Sequence, residues 1–209
     1  MIRRLLGSFT LAAALPLLLA STRTGGGTEQ TIVFAGGCFW GVEAVFEHVK
    51  GVSSAVSGYA GGTTRSPTYE EVTTGRTGHA ESVKVVFDPS QVSLEQLLQV
   101  FFMVAHDPTQ LNRQGPDVGT QYRSAVFYSG ATQEKAVQAF VAALTQKKVY
   151  PRPIVTEVAP LGVFYQAEAY HQGYLALHPY QPYIVINDMP KLESLRRTFP
   201  GLYREPPST

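Results

Sequence analysis

The chain has one cysteine and one tryptophan in 209 residues, and they stand two positions apart, at Cys38 and Trp40. A lone cysteine excludes an internal disulfide and any zinc site built on paired cysteines. The five histidines (His48, His79, His106, His171 and His178) form no close HxxxH or HxH pair, so the sequence gives metal binding little support. No GxGxxG motif or phosphate loop follows a strand-like run, and no nucleotide cofactor is indicated. Charge is scarce at 16% of residues and nearly balanced, with 17 Lys and Arg against 16 Asp and Glu. A near-neutral chain without a basic run gives no electrostatic reason to bind nucleic acid or an acidic membrane. Repeats, low-complexity tracts and a second-domain boundary are missing too. The length therefore reads as one domain with appendages, able to bury a real core.

The long apolar run is residues 5–20, and at 16 residues it is short of the roughly 20 that a membrane-spanning helix needs. Arg3 and Arg4 precede it and the small residues Ala20, Ser21 and Thr22 follow it. This is the layout of a cleaved secretory signal, favoured over a retained membrane anchor. Residues 1–22 are expected to be a signal peptide, 23–30 a flexible glycine-rich leader, and 31–209 a single domain. Export, most simply to the periplasm, is the corresponding expectation. Ser21 stands where a lipoprotein signal needs cysteine, and nothing around Arg3-Arg4 supports twin-arginine export. Exported proteins usually carry cysteines in pairs. A single one is either inert and buried or kept for chemistry.

The local sequence favours chemistry. Residues 31–35 are apolar and β-branched, as in a buried strand, and Gly36-Gly37 breaks the run. Residues 41–48 then carry Val42, Val45 and Phe46 at helical spacing. Cys38 therefore falls at or just before a first helical turn, where free backbone N–H groups and the helix dipole favour an anion such as a thiolate.

Further along, residues 52–59 alternate as a strand and end in a glycine-rich turn. Thr68 and Glu71 have the spacing of a capping box, which starts a short helix at Tyr69. In the strand 80–88, Glu81 shares one face with Val83, Val85 and Phe87 by parity. A glutamate on an apolar face either escapes over the rim or turns inward, where desolvation keeps it protonated. Residues 89–105 read as a helix capped by Ser93 and Gln96, with an apolar stripe that is core. A long polar loop runs from His106 to Thr120. Residues 122–128 read as a strand with Tyr122, Ser124, Val126 and Tyr128 on one side, residues 132–146 as an amphipathic helix, and 154–158 as a strand. His171 lies in an aromatic run at mixed helical spacing, and by itself it is more simply a core histidine than a base. Residues 183–186 read as a strand and 190–197 as a short helix with Pro190 in its first turn.

Four segments together resemble the A-type peptide methionine sulfoxide reductases: GGCFWGVE (36–43), SGYAGG (57–62), PTYEEVTTGRTGHAESV (67–83) and HDPTQLNRQGPDVGTQYRSAVFY (106–128). The likeness runs in order over residues 31–178. It implies an α+β fold: a two-layer sandwich with a ferredoxin-like core, a mixed sheet flanked by helices, and long glycine-rich loops. It implies that Cys38 is the nucleophile that takes the oxygen as a sulfenic acid, with Glu81 the acid that protonates the sulfoxide oxygen. Tyr69 and Tyr122 match the phenols that share that oxygen. Phe39 and Trp40 match the aromatic walls around the S-methyl group, and Asp117 a rim residue that holds substrate. The implied substrate is the S epimer of methionine sulfoxide, free or in oxidised proteins, and the implied state is a monomer with no bound cofactor and no metal.

Two departures from the commoner family pattern matter. No second cysteine exists near the C-terminus, so an external thiol must attack the Cys38 sulfenic acid: a thioredoxin-like protein, a glutaredoxin or a small thiol. Ala169 stands where an acidic residue is frequent, next to a preserved Tyr170-His171-Gln172 segment. Two other readings compete. A thiol peroxidase also uses a low-pKa cysteine, but it needs peroxide-binding donors, typically with an arginine, that the Cys38 stretch lacks. A non-catalytic binding module would use only the aromatic pocket at Trp40.

Overall fold

A computed structural model describes residues 28–205. The expected signal peptide and most of the leader lie outside the described residues. Strand β1 (Gln30–Gly36) runs into helix α1 (Phe39–Glu47), followed by β2 (Val52–Ala60), α2 (Tyr69–Thr73) and β3 (Ala80–Phe87). The first strand therefore begins at Gln30, one residue inside the expected leader. Helix α3 (Leu94–Val100) continues as a π-helical turn over Phe101–Ala105. A two-residue hairpin, β4 (Arg113–Gln114) and β5 (Asp117–Val118), occupies the long loop. Then come β6 (Ser124–Tyr128), α4 (Gly130–Gln146), β7 (Glu157–Pro160), β8 (Tyr165–Gln166), α5 (Tyr174–Leu177) and α6 (Met189–Thr198).

Six strands form one mixed sheet in the order β7-β6-β1-β3-β2-β8. Among the described residues, β6–β7 is the one parallel pairing. Side-chain parity divides the sheet into two faces. Ile32, Phe34, Tyr59, Val83, Val85, Phe87 and Val126 join the main core with α1, α3 and α4. The opposite face carries a smaller cluster of Val33, Ala35, Ala60, Ala80, Ala125 and Phe127, covered by Leu161 and Phe164. One sheet with its helices mainly on one face is the two-layer α+β arrangement expected from the sequence.

The two capping boxes form as read, Thr68 with Glu71 and Ser93 with Gln96. Four expectations move. The helix expected over 89–105 starts at Leu94, because the Asp88 carboxylate accepts from the Ser90 amide at 2.9 Å and holds the preceding residues in a turn. Tyr122 closes a 3-10 turn (Thr120–Tyr122) instead of opening a strand, so it does not share the Ser124–Val126 face. The strand expected at 154–158 begins at Glu157, because the Val155 N–H is already given to the Pro108 carbonyl at 2.8 Å. The β-branched run 183–186 is helical: Ile184–Asp188 forms a π-turn that leads into α6. Ile184 is fully buried with Ala44 of α1, so packing overrides the local β-propensity there.

Candidate active site

Cys38 is the N-cap residue of α1. Gly37 before it has φ +91°, and a Cβ at that position would meet Gln114 Cβ at 2.5 Å. Only glycine allows the chain to leave β1 and set the cysteine at the cap. Cys38 is 8% exposed.

The expected lowering of the thiol pKa by the helix is overturned. Burial pushes the Cys38 thiol well above its ordinary range, and the Glu81 and Asp188 carboxylates add to that. The Trp40 backbone amide and the Lys191 ammonium act the other way. A helix terminus contributes at most about 2 kcal/mol in partly buried geometry, which is less than the cost of desolvating an anion here. At rest Cys38 is a thiol.

Glu81 is the second residue of β3, on the helix face of the sheet, and is 2% exposed. It turns inward, and its Oε2 accepts the Phe39 N–H at 3.1 Å, an orphan donor of the first turn of α1. Burial raises its pKa to about 8, with the Phe39 amide opposing and Asp117 and Asp188 adding. At neutral pH Glu81 is a carboxylic acid able to donate a proton.

Tyr69 opens α2, and Tyr122 ends the 3-10 turn on the other side of the site. Burial raises both phenols well above their ordinary range, followed for each by the Glu81 charge, with Cys38 and Asp117 further down. Both stay protonated donors in the field of the same two groups. Phe39 packs 6.5 Å from Tyr69 and from Trp40, centroid to centroid. The fold thus brings Cys38, Phe39, Glu81, Tyr69 and Tyr122 around the cap of α1. Asp117 sits in the hairpin, and its carboxylate accepts the Tyr183 hydroxyl.

Several contacts in the site are not foreseen from the sequence. Trp40 Nε1–H donates to His171 Nδ1 at 3.1 Å, the indole stacks on Tyr174 at 3.8 Å, and Tyr183 meets it edge-on at 6.0 Å. A buried indole needs an acceptor, and that requirement is the signal that could have paired it with His171. Burial lowers the His171 pKa, so the ring is neutral, with Nδ1 free to accept. Glu168 accepts the Tyr59 hydroxyl at 2.7 Å and the Tyr69 amide at 2.9 Å, tying this turn to α2. Glu43 is buried in α1 and accepts the Gly173 amide at 3.1 Å, which anchors the same turn to α1. Among the described residues no group of three or more His, Cys, Asp or Glu side chains could hold a metal ion.

A buried thiol and a neutral buried acid thus meet in an aromatic surround at one helix cap. A family model, peptide methionine sulfoxide reductase, matches residues 30–201, and the chain belongs to that family. "Peptide methionine sulfoxide reductase MsrA 2" of Mesorhizobium japonicum is 58% identical over 179 residues, covering 86% of this chain and 92% of the relative. The Synechocystis protein of the same name is 48% identical, covering 84% and 82%. Among solved structures, methionine sulfoxide reductase A of Corynebacterium diphtheriae aligns with a TM-score of 0.69 at 42% identity, over 74% of this chain and 78% of the other. Reduced Mxr1 of Saccharomyces cerevisiae aligns at 0.67 and 34%, over 73% and 87%.

Proposed function

We propose that this enzyme reduces the S epimer of methionine sulfoxide, free or in oxidised proteins, through a sulfenic acid on Cys38. The inward turn of Glu81, a neutral acid bonded to the first turn of the nucleophile's helix, carries this reading. Sulfoxide sulfur is electrophilic only as its oxygen gains a proton, so an acid and a thiol sharing one site fit that reaction. The Cys38 sulfur attacks the sulfoxide sulfur while Glu81 gives its proton to the oxygen. Tyr69 and Tyr122 donate to the same oxygen, which becomes more basic as the attack proceeds. Their stabilisation is therefore greater in the transition state than in the ground state. The oxygen passes to Cys38 and methionine leaves. The substrate sulfur is reduced by two electrons and the cysteine sulfur is oxidised by two; the sulfenic acid keeps the proton that Glu81 gave, and the proton leaving the Cys38 thiol replaces it on Glu81. Phe39 and Trp40 receive the S-methyl group through apolar and sulfur–aromatic contacts. Asp117 on the rim holds the remainder of the substrate.

No second cysteine is present to condense with the sulfenic acid. An external thiol displaces water to give a mixed disulfide, and a second thiol releases Cys38. A thioredoxin-like protein, a glutaredoxin or a small thiol meets that need, with no bound cofactor and with the enzyme acting as a monomer. The pattern of residues 1–22 supports a cleaved signal and a periplasmic role in protein repair, with residues 31–209 as the catalytic domain. The test is loss of S-sulfoxide, and not R-sulfoxide, on addition of thiol. Reduction of peroxide in preference to sulfoxide would favour the thiol peroxidase reading, and binding without turnover the non-catalytic one.

A further inference from the structure

The C-terminal helices place an ion pair on the nucleophile's helix that the chemistry above does not use. Asp188 is fully buried and its Oδ1 accepts Lys191 Nζ at 3.0 Å, with the Lys191 side chain 17% exposed. The other oxygen, Oδ2, is buried with no hydrogen-bond partner. The pair is seated on Gly41. A Cβ there would lie 2.1 Å from Asp188 Oδ1 and 2.7 Å from Lys191 Nζ. Gly41 is the third residue of α1, three positions after the Cys38 cap, and residues three apart lie on one face of a helix. Asp188 and Lys191 therefore stand beside the cap at which Cys38 projects.

A buried ion pair is weak ground for stability, since a well-packed apolar pair of similar volume is often as good. Breaking it by removing one partner is costly, because the other charge is left buried. Its position next to the nucleophile calls for an account in terms of charge. The titratable and charged groups whose fields act between them and Cys38 are Glu81 from β3, Tyr69 from α2, Tyr122 from the 3-10 turn, and Tyr183, Asp188 and Lys191 from the C-terminal segment. Among those that act on the thiol, Lys191 is the cation.

We infer that Lys191 is a positioning residue for the reaction: held on Gly41 by Asp188, it is the cation Cys38 draws on when its thiol gives up a proton. Asp188 locates the ammonium, and the ammonium neutralises Asp188 so that the carboxylate does not face the forming thiolate alone. This rests on Cys38 being the nucleophile, so its test uses a reading of the sulfur that does not need turnover.

The rate of Cys38 alkylation by iodoacetamide follows the thiolate and can be measured against pH in the full protein. In Lys191→Met, Asp188 faces Cys38 unscreened and the alkylation curve moves to higher pH by about one unit, about tenfold slower at a fixed pH on the rising limb. Asp188→Asn removes a carboxylate and leaves the ammonium, so its curve moves to lower pH. The double variant Asp188→Asn/Lys191→Met returns to within about threefold of the parent, well inside a single pH unit. These opposite signs separate electrostatics from packing, because mere loosening would displace both single variants in the same direction. Unmoved curves, or curves moving together, overturn the inference. Asp188→Asn keeps it falsifiable if Lys191→Met fails to fold. Absent turnover with these alkylation shifts intact would count against the reductase reading and leave the positioning role standing.

Discussion

The site is made of two regions that reach the same cap from opposite ends of the chain. Residues 36–122 bring the groups to which the proposed reaction assigns the exchange of atoms or protons: Cys38, Glu81, Tyr69 and Tyr122. Residues 168–191 bring groups that hold those in place: Glu168 on the amide of Tyr69, His171 on Trp40, Tyr183 on Asp117, and Lys191 beside the cap. The first region is held by strand parity and a glycine turn, which are local properties. In the second, Glu168, His171 and Tyr183 are held by long-range hydrogen bonds, where sequence spacing carries almost no signal. The reacting groups are thus set on rigid elements, and their charge and orientation are tuned by a segment that the sheet does not constrain.

Loss of a reacting group should exceed any loss from the holding region. Cys38→Ser should cut sulfoxide turnover by at least about a thousandfold, measured as thiol-driven loss of S-sulfoxide. Retained activity would end both the reductase and the peroxidase readings. Glu81→Ala should lower kcat by about 10²–10⁴-fold. Glu81→Gln should retain part of the rate, because the amide still donates a hydrogen bond. Equal rates in the two variants would remove the acid role.

The pH profile sharpens the same point. At neutral pH the Cys38–Glu81 pair holds two protons, one on each residue, whereas the reactive arrangement of thiolate and carboxylic acid holds one. That arrangement has the same proton count as thiol with carboxylate. The value of kcat/KM should therefore rise as the pH climbs toward about 8, where Glu81 titrates, and fall only when the second proton leaves. In Glu81→Gln the inflection at about 8 should vanish and the curve should keep climbing toward the Cys38 titration.

Effects in the holding region should appear in KM. His171→Ala leaves the Trp40 indole N–H without its acceptor, a cost of about 1–3 kcal/mol, or roughly 5–150-fold in KM. Its check is the steady-state KM alongside the Trp40 fluorescence of this single-tryptophan chain. A fall in kcat with KM unchanged would place His171 in the chemistry instead. Tyr183→Phe keeps the ring beside Trp40 and removes the bond to Asp117. It should raise KM by only about 2–10-fold, the worth of one hydrogen bond.

How much was legible in the sequence follows the same division. The strand, glycine turn and helix around Cys38, both capping boxes and the apolar parity of Glu81 are near-neighbour patterns, and each has its structural counterpart. The thiol's charge state was misread because the helix terminus is a local feature. The burial and the carboxylates that outweigh it arrive from β3 and from residue 188. Residues 183–186 were misread for a similar reason: a β-branched run has strand propensity, and only the packing of Ile184 against α1 makes it helical. His171 was read as a core histidine and is buried, but its partnership with Trp40 spans 131 positions of sequence.

The central claim is that Cys38 takes the sulfoxide oxygen itself. The most direct test mixes the enzyme with S-sulfoxide in the absence of any reductant, then counts methionine released and maps the modified residue by mass. The account predicts one methionine per enzyme molecule, one oxygen added at Cys38, and trapping of that sulfur by dimedone. Methionine formed without oxygen on Cys38, or none formed until a thiol is added, would contradict it.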